Sequence, residues 1–219
     1  MSTLETHWLT RTIGRSVRRV AEIGFMPINA VMTLCIRTDK KRWSKVARQE
    51  PSWDERNRLI GALIPDNSSI VDLGSGAMTL KRYLKPGCQY QPCDVVRSSA
   101  EVIVCDFNAE IFPDLPRRYD YVVCSGILEY MRDPEDFLAR LPAFGARILL
   151  SYNPIARGET RLSRLGKGWV NHFGQNELEE LFGKVGLTFR VVLRREPNEV
   201  TYELIPESVG KEQSSILRT

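Results

Sequence analysis

Two hydrophobic patterns alternate along the chain after residue 51. Short runs rich in Val, Ile and aromatic residues predict strands, whereas apolar residues at helical spacing predict amphipathic helices. The strands are expected at residues 69–74, 89–93, 101–105, 119–125, 146–152, 188–194 and 199–204, and the helices at residues 54–63, 78–84, 134–141 and 175–185. This alternation predicts an α/β fold with a Rossmann-like, mostly parallel sheet of seven strands. The Pro-Asn turn between the last two strands predicts a C-terminal antiparallel hairpin.

An apolar run at residues 23–36 follows an arginine-rich segment near the N-terminus. The run is shorter than the roughly 20 residues that a membrane-spanning helix needs, and Pro27 interrupts it. We therefore predict a helix over residues 12–24, a break near Pro27 and a second helical piece to about Arg37. These helices either pack on the main domain or on a second copy in a homodimer, or they lie on an anionic membrane surface through residues 12–37.

Composition and charge limit the kinds of partner. The 219 residues include 31 Lys and Arg against 27 Asp and Glu, a net charge of +4, which does not indicate a nucleic-acid partner. Residues 1–58 hold 12 of the basic and 6 of the acidic residues, so the excess positive charge lies in the N-terminal segment. We expect an N-terminal helical extension at residues 1–50, one globular domain at residues 51–206 and a flexible tail at residues 207–219.

The five cysteines are odd in number and show no metal-site spacing. They therefore predict neither a disulfide framework nor a zinc site, and we expect no bound metal. The reduced thiols that this implies favour a cytoplasmic protein, with a peripheral membrane location as the alternative. The cysteines are Cys35, Cys88, Cys93, Cys105 and Cys124, most of them expected to be buried in strands.

The most informative stretch joins the first predicted strand to the segment after it. Gly74 and Gly76 allow the backbone to turn tightly and to approach a ligand that a Cβ atom would exclude. Asp72, at the end of the strand, can receive a cationic or hydroxyl-bearing group. A plain turn between a strand and a helix is the alternative for this pattern taken alone.

Acidic residues also end the next two predicted strands. Asp94 can accept both hydroxyls of a ribose, and Asp106 with Phe107 offers a carboxylate and an apolar wall to a purine ring. Each acid alone is compatible with a solvated loop. Together with Asp72 they lie at successive strand ends, so we expect them to converge on the crevice where parallel sheets bind ligands.

In these residues the chain resembles a class I S-adenosylmethionine-dependent methyltransferase. VDLGSGAMTLKRYL is similar to the family's first motif, which wraps the methionine part of the cofactor, and the acids after the second and third strands match the family's ribose and adenine positions. The similarity covers roughly residues 54–204, and residues 70–84 are most similar to the MetW group and to generic small-molecule methyltransferases. The resemblance implies S-adenosyl-L-methionine as cofactor, with contacts at Asp72, Gly74, Ser75, Gly76, Asp94, Asp106, Phe107 and Ser125.

One position departs from the family pattern. Met78 stands where the third glycine of the motif usually lies, and its side chain could narrow the cofactor pocket or shift the start of the helix. A dinucleotide is the main rival ligand on the same fold. Asp72 argues against it, because a carboxylate just before the turn would face the pyrophosphate.

Three residues are candidates for the catalytic step. Methyl transfer needs positioning and a dry pocket, and a base helps when the acceptor is a hydroxyl. His172 lies between the fifth strand and the next helix, whereas Glu129 and Tyr130 follow the fourth strand, where the resemblance implies substrate contacts. The alternative for His172 is a capping or packing role, and for Glu129 and Tyr130 it is that of ordinary residues at the start of a helix.

The segment at residues 156–173 is interpreted as a loop. Its cations are either solvated or available to a phosphate or carboxylate on the acceptor, and they are Arg157, Arg161, Arg164 and Lys167. The whole pattern predicts methyl transfer from S-adenosyl-L-methionine to a small-molecule or glycan-like acceptor, at oxygen. A non-catalytic regulatory or partner-binding protein that keeps the fold is the alternative.

Overall fold

A computed structural model describes residues 27–46 and 51–207. The helix predicted over residues 12–24 and the tail after residue 207 lie outside them, so both stay predictions. Residues 27–35 are helical (α1), in agreement with the second predicted piece. Within the described part of the chain, no helix has both the length and the apolar character needed to cross a membrane.

Seven strands form one sheet in the part of the chain that the structure describes. They are β1 (Ser69–Leu73), β2 (Gln89–Asp94), β3 (Ile103–Val104), β4 (Tyr119–Ser125), β5 (Gly145–Tyr152), β6 (Leu187–Arg195) and β7 (Glu199–Pro206). Their order across the sheet is β3-β2-β1-β4-β5-β7-β6. Strands β1 to β5 pair in parallel, whereas β7 is antiparallel to both β5 and β6. The predicted mostly parallel sheet with a C-terminal antiparallel hairpin is confirmed.

Beyond α1, the helices agree with the predicted pattern at three places and differ at three. After α1 they are α2 (Lys40–Val46), α3 (Pro51–Leu63), α4 (Pro134–Arg140), α5 (Arg161–Gly166) and α6 (Gln175–Lys184). Helices α3, α4 and α6 were expected, whereas the short helices α2 and α5 were not. Residues 78–84, predicted to be helical, contain a tight 3-10 turn at Thr79–Tyr83 instead.

Both faces of the sheet are covered, which explains why every residue of β1 is buried. Ile70 packs with Ile60 of α3 on one face. Val71 lies in the larger cluster of the other face, to which α4 contributes Leu138 and α6 contributes Leu178. Burial of each such side chain stabilises the fold by about 1.5–3 kcal/mol. The complete burial of β1 is therefore typical of a central parallel strand.

The strand order reverses direction at β1. The chain proceeds from β1 to β2 and β3 on one side, and then returns to place β4 on the other side of β1. The connections after β1 and β4 therefore diverge and leave a crevice at the carboxyl ends of the strands. This crevice is the place where the predicted acidic residues would meet.

Candidate functional site

The carboxyl ends of β1 to β4 open into a cavity of about 940 Å³, which we call the main cleft. Its lining combines side chains from the strand ends with others from α3 and from residues 38–43. The structure brings all the predicted cofactor contacts to this one cleft, namely Asp72, Gly74, Ser75, Gly76, Asp94, Asp106, Phe107 and Ser125. Their roles toward a ligand stay predictions.

Asp72 is the most deeply buried acid of the main cleft, with 2% of its surface exposed. The Tyr90 hydroxyl donates a hydrogen bond to Oδ2 of Asp72 at 2.5 Å, while Oδ1 has no partner among the described residues. Burial raises the pKa of this carboxyl to about 7, although the hydrogen bond from Tyr90 acts in the opposite direction. The protein thus leaves one buried acceptor atom unsatisfied, which a ligand donor can complete.

The turn after β1 needs glycine at two positions for different reasons. Gly74 has φ +83°, and a Cβ atom there would lie 2.6 Å from Cδ1 of Ile127. Gly76 has φ +52°, and a Cβ atom there would meet nothing within 4 Å. Between them, the buried hydroxyl of Ser75 has no partner among the described residues. The turn therefore leaves an open space beside Gly76 and a free polar group next to it.

Met78 does not narrow the main cleft. Its backbone has φ +55°, in the left-handed region, and its N–H donates to the Ser75 carbonyl at 2.7 Å. The Met78 sulfur accepts a hydrogen bond from the Ser99 hydroxyl at 3.6 Å, and the residue is not among those that line the cleft. The departure from the glycine pattern thus changes the turn that follows, whereas the space beside Gly76 stays open.

Asp94 organises the glycine turn from the end of β2. Its Oδ2 accepts the Gly76 N–H at 2.8 Å, and its Oδ1 accepts the Val96 N–H at 2.9 Å. Burial raises the pKa of Asp94, while these backbone hydrogen bonds lower it. Each carboxylate oxygen has more than one lone pair, so both can still accept a hydroxyl from a ligand in the cleft.

A segment that the sequence analysis left without a role reaches the third strand end. The Thr38 hydroxyl donates to Oδ1 of Asp106 at 2.7 Å, and Lys40 Nζ lies 3.9 Å from Oδ2. Next to this acid, the Phe107 ring packs at 5.4 Å from the Phe137 ring and forms an apolar wall. The carboxylate and the wall predicted for a purine are both present, and Thr38 closes over them.

We call residues 36–46 the strap, because they run across the mouth of the main cleft. Trp43 of the strap lines the cleft and meets the Tyr130 ring edge-on, with centroids 4.5 Å apart. The Arg132 guanidinium donates to the carbonyls of Thr33 at 2.6 Å and Ile36 at 2.7 Å. Arg132 thereby fixes the end of α1 and the start of the strap.

Ser125, at the end of β4, belongs to a buried polar network around Arg56. Arg56 Nε donates to the Ser125 hydroxyl at 2.8 Å, and that hydroxyl donates to Oδ1 of Asn57 at 2.7 Å. Arg56 also lies 3.3 Å from Glu199, which joins α3 to β7. Arg56 could not be predicted as part of this site, because the helical pattern of α3 gives no information about the strand end that Arg56 faces.

A second cavity of about 700 Å³ adjoins the main cleft and contains both residues predicted after β4. Four residues line both spaces and so form their common boundary, namely Trp53, Arg56, Gly126 and Tyr130. The second cavity also receives Trp169 and the β6–β7 hairpin, which carries Arg195 and Pro197.

Glu129 is 1% exposed and lines the second cavity. Its Oε1 accepts both the backbone N–H of Asn153 at 3.0 Å and the side-chain amide of Asn153 at 2.9 Å. Its Oε2 has no partner among the described residues. Burial raises the pKa of Glu129, and the hydrogen bond from the Asn153 side chain lowers it. This carboxyl is the second acid of the region with one unsatisfied oxygen.

Tyr130 stands between the two spaces and is held on both sides. Its hydroxyl accepts a hydrogen bond from Trp169 Nε1 at 3.0 Å, and its ring contacts Trp43 of the strap. Burial raises the pKa of Tyr130 to about 12, so the phenol stays protonated at neutral pH. These contacts suit a wall residue better than a proton acceptor.

His172 lies away from both spaces and is not among the residues that line them. Its Nδ1 is buried without a partner in the described part of the chain. Burial lowers the pKa of His172, and the neighbouring Arg164 and Arg161 lower it further. The structure does not bring this histidine together with Glu129 and Tyr130, and its catalytic role stays a prediction.

The expectation of a loop at residues 156–173 is wrong in part, because α5 forms there. The Thr160 side chain caps this helix by accepting the Ser163 N–H at 3.1 Å. Arg164 is fully buried, pairs with Glu159 at 3.0 Å and lies 4.7 Å from the centre of the Trp169 ring. None of the four predicted cations lines either space. Arg164 therefore supports the wall of the second cavity from behind.

Comparisons with known proteins give a fold and no family. No family model matches the chain, and no curated protein matches it. The solved structures that share the fold include the following three. CalO1, a methyltransferase in calicheamicin biosynthesis solved with S-adenosylhomocysteine, is 17% identical with a TM-score of 0.56 over 71% of this chain and 54% of its own. The mitomycin 7-O-methyltransferase MmcR is 18% identical with a TM-score of 0.56, and the match covers 75% of this chain and 60% of MmcR.

The third structure covers a larger share of both chains. It is the 1,6-didemethyltoxoflavin-N1-methyltransferase of Burkholderia thailandensis, solved with that compound and S-adenosylhomocysteine. It is 19% identical with a TM-score of 0.54, over 82% of this chain and 88% of its own. This chain thus spans little more than half of CalO1 and three fifths of MmcR. At these identities the likeness establishes the methyltransferase-type Rossmann-like fold, and the MetW subgroup stays a prediction.

Proposed function

We propose that this protein transfers a methyl group from S-adenosyl-L-methionine to a small-molecule acceptor. The observation that carries the proposal is the set of unsatisfied groups in the main cleft. Oδ1 of Asp72 and the hydroxyl of Ser75 are buried without partners in the described residues, beside the open space at Gly76. Buried polar atoms without partners are rare in native proteins, so such a group at a cavity wall points to a ligand.

The residues of the main cleft fit the chemical groups of this cofactor. Asp72 would attract the ammonium of the methionine part, and the backbone turn at Gly76 leaves room for that chain. Asp94 would accept the ribose hydroxyls, while Asp106 and Phe107 would face the adenine. When bound, S-adenosyl-L-methionine supplies a methyl group on a positively charged sulfur. The strap, through Thr38 and Trp43, limits access of water to this part of the cleft.

The comparisons support a small acceptor. CalO1 and the didemethyltoxoflavin methyltransferase were solved with S-adenosylhomocysteine, and the latter also with a small heterocyclic compound. MmcR is named as an O-methyltransferase and the Burkholderia protein as an N-methyltransferase. The fold therefore serves transfer to either atom, and transfer to oxygen is our proposal for this chain.

Calorimetry with S-adenosylhomocysteine and S-adenosyl-L-methionine tests the cofactor site. We expect binding of both, competition between them, and transfer of a radiolabelled methyl group to at least one hydroxyl compound in a broad acceptor panel. No heat of binding at millimolar ligand would contradict the proposal. Binding without transfer to any acceptor would favour the non-catalytic alternative.

A further inference from the structure

The second cavity adjoins the main cleft. Trp53, Arg56, Gly126 and Tyr130 line both spaces, so a molecule in the second cavity would lie against the contents of the main cleft. The wall between them contains Gly126, which has no side chain and a φ of +66°. The geometry thus places a second ligand next to the first.

Three aromatic side chains contribute to the walls of the second cavity. Trp53 comes from α3, Tyr130 from the turn after β4 and Trp169 from the segment before α6, and Pro197 adds an apolar aliphatic ring. The Trp169 ring is held in place by the hydrogen bond from its Nε1 to the Tyr130 hydroxyl and by Arg164 behind it. Rigid aromatic walls favour a flat aromatic ligand, since stacked and edge-on ring pairs contribute about 0.5–1.5 kcal/mol beyond the buried area.

Charge in the second cavity does not favour an anionic ligand. Three carboxylates and two guanidinium groups line it. Both guanidinium groups are already paired with Glu199, Arg195 at 2.7 Å and Arg56 at 3.3 Å. Arg56 is also bound to Ser125 through its other two nitrogens. A phosphate or carboxylate on the acceptor would therefore meet no free cation in this cavity.

Glu129 is the one carboxylate of the second cavity with a buried oxygen that lacks a partner among the described residues. Asn153 fixes its other oxygen with two hydrogen bonds, so the orientation of the carboxyl group is set. A donor on the ligand would satisfy Oε2, whereas an acceptor group would leave it unsatisfied.

We propose that the second cavity binds the methyl acceptor, and that it selects a flat aromatic molecule that presents an O–H or a ring N–H to Oε2 of Glu129. This inference rests on the proposed function. Glu129 takes the proton from the acceptor oxygen or nitrogen as that atom forms its bond to the methyl carbon. The electron pair of the broken carbon–sulfur bond remains on sulfur, which becomes a neutral thioether. Glu129 is then a catalytic residue, whereas Asn153 and Tyr130 position it and the ring.

Binding of three related probes tests the selection directly. The probes are 2-naphthol, which is flat and carries a donor, decahydro-2-naphthol, which keeps the donor but is not flat, and 2-methoxynaphthalene, which is flat without a donor. We expect wild-type protein to bind 2-naphthol about tenfold more tightly than either of the others, measured by calorimetry with and without S-adenosylhomocysteine.

Substitution of Glu129 by Gln separates a ligand contact from a structural role. Glu129→Gln keeps the carbonyl that accepts from Asn153 and places an amide donor where Oε2 was. The preference for 2-naphthol over 2-methoxynaphthalene should therefore be lost, because both oxygens can accept a hydrogen bond from the amide. Glu135→Gln is the matched control, because Glu135 is exposed and pairs with Lys184 at 2.6 Å. This control should retain the wild-type order of the three probes.

The aromatic walls have their own test. Trp169→Leu and Trp53→Leu should each reduce the advantage of 2-naphthol over decahydro-2-naphthol to less than about threefold. The two substitutions are independent, so a fold defect in one still leaves the other to decide.

An unchanged preference for 2-naphthol over 2-methoxynaphthalene in Glu129→Gln would overturn the proposal, as would tighter binding of decahydro-2-naphthol or of phenyl phosphate by the wild type. Failure of S-adenosylhomocysteine to bind would contradict the proposed function instead. The order of the naphthol probes without the nucleoside would still decide the selectivity of the second cavity.

Discussion

The main cleft and the second cavity adjoin, yet the chain builds them in different ways. Most of the main cleft comes from short segments at consecutive strand ends, around Asp72, Asp94 and Asp106, and its shape depends on backbone turns. The second cavity is assembled from α3, the turn after β4, the segment before α6 and the β6–β7 hairpin. Its walls are side chains that come together only in the folded protein.

This difference suits two kinds of ligand. A nucleoside that many proteins share can be held by backbone geometry and a few acids, which any sequence with the right turns can supply. An acceptor that distinguishes one enzyme from another requires walls whose side chains vary independently. Substitutions in the main cleft should therefore alter nucleoside binding by changing single contact atoms. Substitutions in the second cavity should alter the selectivity for the acceptor.

The largest effect is expected from Asp72→Asn. This substitution keeps the shape of the side chain and an acceptor for Tyr90, but removes the negative charge that would face an ammonium. S-adenosylhomocysteine should bind more weakly by about 2–4 kcal/mol, roughly 30- to 1,000-fold, in calorimetry. The naphthol preference of the second cavity should not change, which would sharpen the division between the two spaces. Unchanged nucleoside affinity would remove Asp72 from the site.

The same variant should be more stable at alkaline pH. The pKa of Asp72 is about 7 in the folded protein, above its ordinary value of 3.8, so its contribution to stability is complete below pH 3.8 and is lost as the pH rises through 7. Asn cannot ionise, so the variant keeps this contribution to stability as the pH rises. We expect the thermal midpoint of Asp72→Asn at pH 8 to exceed that of the wild type by about 2–4 °C, which corresponds to about 1 kcal/mol. Equal thermal midpoints of the two proteins at pH 8 would argue against a buried Asp72 carboxyl with a raised pKa.

A smaller effect is expected from Gly76→Ala. The added methyl group would enter the open space of the main cleft, so the nucleoside should bind about 5- to 150-fold more weakly, a loss of about 1–3 kcal/mol. Gly158→Ala is the matched control, because Gly158 also has a positive φ, +83°, and space around its Cβ position, but does not line the cleft. Both variants should lose similar stability to backbone strain. Equal nucleoside affinity in the two variants would show that the space at Gly76 is not used.

Nucleoside binding should also depend on pH. Asp72 ionises around pH 7, and only the ionised carboxyl attracts an ammonium group. The affinity for S-adenosylhomocysteine should therefore rise by up to about tenfold from pH 6 to pH 8. Asp72→Asn should show no such rise. A rise of the same size in that variant would assign the pH dependence to another group.

The sequence was sufficient for the parts of the site that depend on local turns. The strand-end acids and the glycine turn could be predicted because each needs only a few consecutive residues, and all eight predicted contacts line the main cleft. The mostly parallel sheet followed from the alternation of strands and helices, whereas the order of the strands did not. The resemblance predicts substrate contacts for Glu129 and Tyr130; both line the second cavity, and their contact with an acceptor stays a prediction.

The long-range contacts could not be predicted. Arg56 belongs to a helix whose pattern indicates only a buried face, yet it binds Ser125 and Glu199, which are far apart in the sequence. Arg164 looked like a loop cation, but it is buried because α5 forms and Glu159 neutralises it. The strap lies within the predicted N-terminal extension, and nothing in its composition shows that Thr38 reaches Asp106.

The strap is the part of the main cleft that, like the second cavity, is held by long-range side-chain contacts. A substitution that loosens it should have the smallest effect on nucleoside affinity. Arg132→Met would remove the hydrogen bonds that fix the carbonyls of Thr33 and Ile36. We expect S-adenosylhomocysteine affinity to fall only about two- to threefold, because Asp72 and Asp94 are untouched, while hydrogen exchange in residues 33–46 becomes faster. Arg58→Met, at an exposed arginine that pairs with Glu55 within α3, should change neither measurement. If Arg132→Met weakened nucleoside binding as much as Asp72→Asn, long-range contacts would control the main cleft too, and the contrast between the two spaces would fail.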